Sequence, residues 1–190
     1  MEKQVVVAVM AGGASVRMGT DKAAVDVGGE PLLVHVCRAA EAAGLPVCVI
    51  GRTPEDPVMV SLGSAVAVPD EVPGLGPIGG LLTALRGAPD NVDVLLTACD
   101  LPLIEPAQFT WMAEFANAQG TSAADGIVPL WKGRPEPLFA IYRRSVLPMV
   151  ERHIAMRRYG MQDLVRAGAF VKVPMPAEHT AAIRDVDTPE

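Results

Sequence analysis

The chain has 190 residues, a formal net charge of −6 at pH 7, half of its residues hydrophobic and 20% charged. That length predicts a single domain spanning the whole chain, with a well-filled core, and that composition excludes an intrinsically disordered protein. The acidic balance excludes a broad nucleic-acid or membrane-surface footprint, so an anionic ligand has to be met by a local cluster of positive groups.

The first element is a continuous apolar run over residues 5–10, the pattern of a strand buried on both faces of a parallel sheet. It is broken by Gly12 and Gly13 and followed by Arg17 with no cleavage-type site, which argues against a secretory leader. "EPLLVHVCRAAEAAG" then predicts a helix, with Pro31 suited to its first turn and Gly44 to its end. "VCVIG" predicts a second strand and "AVAV" a third. A Gly/Pro loop over residues 69–77 leads into a helix that ends near Gly87, and "VDVLLTACD" predicts a fourth strand stopping at Asp100.

This alternation predicts βαβ units and a three-layer α/β/α, Rossmann-like fold with a mostly parallel sheet, its site at the C-terminal ends of the strands. Residues 106–118 predict a further helix. "GIVPLWKGRPEPLFAIYR" predicts two strands joined around Gly133, forming a small antiparallel addition beside the main sheet. "SVLPMVERHIAMRR" and "MQDLVRAG" predict helices, and "AFVKVP" a late strand. Cys37, Cys48 and Cys99 lack metal-type pair spacing and read as small core residues of a protein kept in the reducing cytoplasm. No apolar segment is long enough to span a bilayer.

The segment "MAGGASVRMGTDKA" matches neither the P-loop pattern nor the dinucleotide pattern Gly-x-Gly-x-x-Gly. Its chemistry is nevertheless similar. Glycines let backbone N–H groups approach phosphate oxygens, while Arg17 offers a forked donor and Lys22 a compact charge. The competing reading is a surface turn with two solvated cations. Asp100, directly after a buried strand, is a candidate Mg²⁺ ligand, since that ion takes one or two carboxylates and completes its shell with phosphates and water; a turn cap is the alternative. Asp70 occupies the same position after the third strand and precedes glycines that permit close backbone approach to a ligand.

In order along the chain, "MAGGASVRMGTDKA", "PDEVPGLGPIGGL", "TACDLP", "GRPEPLFAIY" and "DVDTPE" resemble the signatures of molybdenum cofactor guanylyltransferases. The family lies within the nucleotide-diphospho-sugar-transferase-like fold. Met10 stands in place of the usual Leu. The resemblance implies transfer of GMP from GTP to the terminal phosphate of molybdopterin, with pyrophosphate released and Mg²⁺ as cofactor. It also implies hand-over of the product to a molybdoenzyme or its chaperone. By position it implies that Met10, Ala11, Gly12 and Gly13 meet the nucleotide, Arg17 and Lys22 the triphosphate, Asp70 the guanosine and Asp100 the metal. Arg17, Lys22 and Asp100 are thus the candidate catalytic residues.

An attacking phosphate is already anionic, so this chemistry needs alignment and charge neutralisation rather than a general base. His35, in a helix, His153, on a charged helix face, and His179, in a late loop, accordingly read as structural or solvated. The chain departs from the family in its last motif, where Asp185 and Asp187 replace the usual Asn residues. Asp187 remains a competent oxygen ligand and is expected beside Asp100 in the metal site; a frayed acidic tail is the alternative.

For the acceptor, Trp131, Lys132, Arg134, Arg157, Arg158 and Tyr159 form a cationic, partly aromatic set, with a solvated helix face as the plainer account of the two adjacent arginines. The rival readings are a molybdopterin cytidylyltransferase, a sugar-1-phosphate nucleotidyltransferase, and a non-catalytic nucleotide-binding module. Against the first, the loop reads Ala11-Gly12-Gly13 where cytidylyl relatives usually carry Ala-Ala-Gly.

Overall fold

The computed structural model describes residues 4–12, 21–119 and 123–183. Its centre is strand β1 (Gln4–Met10), flanked by β4 (Val47–Ile50) on one side and β6 (Val92–Ala98) on the other, both parallel to it. Every residue of β1 from Val5 to Val9 is buried or half-buried, as the unbroken apolar run requires of a central strand. Alternation divides its side chains between two cores. Val5, Val7 and Val9 pack under α1 (Leu32–Ala42) and α4 (Pro106–Gln119), while Ala8 packs with residues of α3 (Pro77–Gly87), α5 (Leu147–Ala155) and α6 (Met161–Ala167). A sheet with helices on both faces is the layer arrangement predicted from the alternating elements.

The main sheet runs β10-β7-β9-β6-β1-β4-β5, with β5 (Val66–Val68), β7 (Gly126–Trp131), β9 (Phe139–Tyr142) and β10 (Phe170–Pro174) completing the path. A two-residue strand β8 (Arg134–Pro135) folds back on β7 around Lys132–Gly133. The antiparallel part therefore differs from the expected addition at the sheet's side. β9 lies inside the sheet, antiparallel to both β6 and β7, and β10 then pairs parallel to β7 beyond it. Pro135 and Pro137 explain why the hairpin cannot simply continue: neither can donate a ladder hydrogen bond, so the chain leaves β7 after two residues and re-enters on its other flank.

Two small elements carried no periodic signal. They are the hairpin of β2 (Asp26–Val27) and β3 (Glu30–Pro31), and the one-turn helix α2 (Pro57–Val60), whose N-terminus Asp56 caps by accepting from the Val58 N–H. His153, read as structural or solvated, is buried on α5. Cys37 and Cys99 are buried as expected, Cys48 is half-buried, and all three are free thiols. No helix among the described residues is long and apolar enough to cross a membrane.

The β7–β9 crossing is tight. A Cβ added to Gly126 would stand 2.0 Å from the Ile141 carbonyl oxygen, backbone against backbone. Gly126→Ala is therefore expected to destabilise the protein by about 3 kcal/mol. Gly87→Ala, whose methyl meets nothing within 4 Å at the end of α3, should be neutral or slightly stabilising. Urea unfolding midpoints of the two variants check both.

Candidate functional site

The C-terminal ends of β1, β4, β5 and β6 open into one cleft of about 1090 Å³. The backbone ladder carries past the formal strand ends there. Ala11 N–H donates to Ile50 O and Gly51 N–H to Val68 O, each at 2.9 Å, so the first residues of three loops leave the sheet side by side. This is the position where open parallel sheets hold ligands.

Arg52, the second residue past β4, ties these loops together. Its Nε donates to Ala11 O at 2.9 Å, and its two terminal nitrogens donate to the Asp21 carboxylate at 2.8 and 2.5 Å and to Asp56 Oδ2 at 2.8 Å. With only 9% of its side chain exposed, the guanidinium has exchanged water for these acceptors, and the two carboxylates hold its pKa above the ordinary value. Asp21 in turn is held below the usual carboxylate range, chiefly by the Arg52 hydrogen bond. The same Asp21 side chain accepts from Ala23 N–H and caps the short turn Lys22–Ala24. Sequence reading missed Arg52 as a site residue. The signal was available, since a lone charged residue directly beyond a buried strand is the pattern that singled out Asp70 and Asp100.

Asp70, past β5, stands over the point where the first two loops touch. A Cβ on Gly51 would lie 2.6 Å from the Gly12 Cα, and one on Gly12 only 2.8 Å from Asp70 Oδ2. Gly51 also holds φ at +87°, so it is glycine for conformation and for space together. Burial pushes the Asp70 carboxyl above its ordinary pKa. The following loop is pinned to α3 by Thr83, whose Oγ1 accepts from Glu71 N–H at 3.0 Å and donates to Gly79 O at 3.1 Å. Gly80 leaves room for Met10, since a Cβ there would come 3.3 Å from the Met10 sulfur.

At the mouth of β6, Asp100 Oδ2 lies 3.5 Å from Lys22 Nζ, with 19% and 26% of the two side chains exposed. Neighbouring Cys99 has its thiol pushed up to about 12, first by burial and then by the Asp100 charge, so it remains protonated and is no nucleophile at neutral pH. Among the described residues no three His, Cys, Asp or Glu side chains cluster to form a protein-only metal cage. Asp100 alone nonetheless suits a divalent ion that draws its remaining ligands from phosphates and water.

Of the residues singled out by sequence, Met10, Ala11, Gly12, Lys22, Asp70 and Asp100 all line this cleft. Gly13, Arg17 and Asp187 lie outside the described residues. The acceptor candidates separate: Tyr159 lines the cleft, whereas Lys132, Arg134, Arg157 and Arg158 are not among its lining residues. Lys132 lies over the Trp131 ring at 4.9 Å. His179 packs against Trp111, ring centroids 5.4 Å apart, and pairs with Gln108 at 3.1 Å, in line with a structural role.

The model of the MobA-like NTP transferase domain matches residues 7–173. A Carboxydothermus hydrogenoformans protein named probable molybdenum cofactor guanylyltransferase is 33% identical over 188 residues, covering 96% of this chain and 90% of its own. A Thermococcus sibiricus protein of the same name is 32% identical over 185 residues, covering 94% and 91%. The crystal structure of molybdopterin-guanine dinucleotide biosynthesis protein A from Archaeoglobus fulgidus superposes with a TM-score of 0.76 over 96% of this chain and 92% of that one, at 22% identity.

Removing the Arg52 guanidinium leaves Asp21 and Asp56 facing each other without their cation. Arg52→Ala is expected to cost about 2–4 kcal/mol at pH 7, and Arg52→Lys to recover only part, because an ammonium cannot serve all three acceptors. Asp21 has a depressed folded pKa, so its contribution is present above the unfolded value of about 3.9 and is lost as pH falls through the lower folded value. The gap between wild type and Arg52→Ala should accordingly narrow below about pH 4, as read by urea unfolding across a pH series.

Proposed function

The chain belongs to the MobA-like NTP transferase family, and from that premise we propose that it transfers GMP from GTP to the terminal phosphate of molybdopterin, releasing pyrophosphate. The observation that carries this reading is the pairing of Lys22 with Asp100 at the mouth of a glycine-lined cleft, a cation and a potential metal ligand held within 3.5 Å of each other.

The transfer is balanced without a protein base. An oxygen of the acceptor phosphate forms the new bond to the α-phosphorus of GTP, the bond from that phosphorus to the bridging oxygen breaks, and pyrophosphate leaves with the electron pair. Lys22 neutralises charge on the triphosphate, and its position is set by Asp21, which caps its turn and is itself held by Arg52. Gly12 and Gly51 keep the floor of the nucleotide half free of side chains, and Asp70 offers an acceptor to the N–H groups of the nucleoside. Asp100 would hold Mg²⁺, which would supply positive charge to offset the charge that builds on the departing pyrophosphate. Arg17 on the triphosphate and Asp187 beside Asp100 complete the proposal on the strength of the family resemblance. We place the reaction in the cytoplasm, in keeping with three free thiols.

The test is pyrophosphate release with molybdopterin as acceptor, comparing GTP, CTP and ATP with and without Mg²⁺. A Mg²⁺-dependent preference for GTP is expected, falling on the order of 10²–10³-fold in Asp100→Ala. Preference for CTP, or GTP binding without pyrophosphate release, would overturn the assignment. In the same assay Asp187→Ala should weaken the Mg²⁺ dependence, and an unchanged metal requirement would remove that residue from the site.

A further inference from the structure

Arg52 stands where the hydrogen bonding of the sheet runs out. Ala11 N–H donates to Ile50 O, and in a parallel ladder the next rung would run from the Arg52 backbone N–H to Ala11 O. That backbone bond is absent among the described residues: Gly51, with φ at +87°, turns the chain out of the strand first. The side chain makes the rung instead, Arg52 Nε donating to Ala11 O at 2.9 Å.

This substitution sets two groups at the cleft. The peptide between Ala11 and Gly12 is trans, so with its carbonyl turned to Arg52 its N–H points to the opposite side. Gly12 lines the cleft, and its N–H has no hydrogen-bond partner among the described residues. A Cβ on Gly51 would come 2.7 Å from the Gly12 nitrogen, so glycine at 51 leaves that donor uncovered. At the other end of the guanidinium, Nη1 and Nη2 donate to the two oxygens of Asp21, which caps the turn bearing Lys22.

The guanidinium itself has little left to offer a ligand. Of its five N–H groups four are taken, by Ala11 O, by the two Asp21 oxygens and by Asp56 Oδ2. Its charge faces two carboxylates, and its side chain is buried. A cation so placed orients other groups better than it binds a phosphate.

We propose that Arg52 is a positioning residue for nucleotidyl transfer, aiming the Gly12 N–H and the Lys22 ammonium at the triphosphate of the incoming nucleotide without touching that triphosphate. The proposal rests on the transferase reading of the cleft, though not on the choice of guanine. Negative charge builds on the transferred phosphoryl group and the departing pyrophosphate as the reaction proceeds, so misaiming either donor costs rate more than nucleotide affinity.

The experiment measures pyrophosphate release in Mg²⁺ with molybdopterin as acceptor, using whichever of GTP, CTP and ATP the wild type turns over, with rates expressed per folded protein. Arg52→Lys carries the test, since it keeps the buried charge yet cannot serve Ala11 O and Asp21 together. Its kcat should fall at least about tenfold, with the KM for the nucleotide changed less than about threefold. In a Lys22→Ala background the same substitution should cost at least about threefold less than in wild type, because part of its effect runs through Lys22. Asp56→Asn alters an acceptor outside the link from Ala11 to Asp21; it should lower the urea midpoint and leave kcat within about twofold of wild type. An Arg52→Lys kcat within about twofold of wild type, a loss confined to the nucleotide KM, or full additivity with Lys22→Ala would overturn the proposal, the second by making Arg52 a direct nucleotide contact. Preference for CTP would overturn the guanylyl assignment and leave this comparison intact, while no release with any nucleotide would overturn both.

Discussion

A desolvated guanidinium is tolerated only when its donors are satisfied, and in this protein that requirement organises the entrance to the cleft. Arg52 leaves β4 into a position where its acceptors come from three parts of the chain: the carbonyl at the end of β1, the carboxylate that caps the turn at Lys22, and the cap of α2. Ala11 and Asp21 lie on either side of the glycine-rich segment, so one side chain fixes the separation of its two ends. The placement of Lys22 near Asp100 follows, because the turn that carries Lys22 begins at Asp21.

The insertion of β9 gives the cleft its two-sided character. Up to β6 the chain is a parallel βαβ sheet whose strand ends bring Gly12, Gly51, Gly74, Gly76 and Gly80 to the cleft. Beyond β6 the neighbouring strand runs the other way, and the wall it supports is made of side chains from a proline-rich turn and a helix connection. Asp100 follows the strand at that seam, with β1 parallel on one side and β9 antiparallel on the other. Its carboxylate therefore stands where the parallel and antiparallel halves of the sheet meet, within reach of both sides of the cleft.

Much of this was legible in the sequence for local reasons. Strands β1, β4, β5 and β6 are short apolar runs bounded by turn residues, and α1 starts directly after Pro31 and α3 at Pro77, ending near Gly44 and at Gly87, so their existence needed no tertiary information. The place of β9 was not legible, because its pairing with β6, between residues as far apart as Val94 and Tyr142, is decided by sheet order and not by pattern. The position of Arg52 past its strand was as legible as that of Asp70 and Asp100, but its partners were not, because they are neighbours only once β1 and β4 are aligned. The acceptor cations were grouped by nearness in sequence. Lys132 and Arg157 instead occupy turn positions with φ of +49° and +55°, and only Tyr159 from that group reaches the cleft. His153 was left as structural or solvated, and its burial decides for the structural alternative, since a helix face cannot be oriented until its packing partner is known.

The bond from the Tyr142 hydroxyl to the Pro137 carbonyl joins the middle of the sheet to the rim of the cleft. Its ring is fully buried and meets Phe170 edge-on, 5.7 Å between centroids, while its oxygen holds a turn that a ligand would touch. Burial raises the phenol pKa, which favours the protonated hydroxyl that donates this bond. Packing and recognition are therefore one mechanical body on this side of the molecule. A substitution that shifts the Tyr142 ring is transmitted through this bond to a turn at the cleft, so it can leave the melting curve untouched and still move the rim.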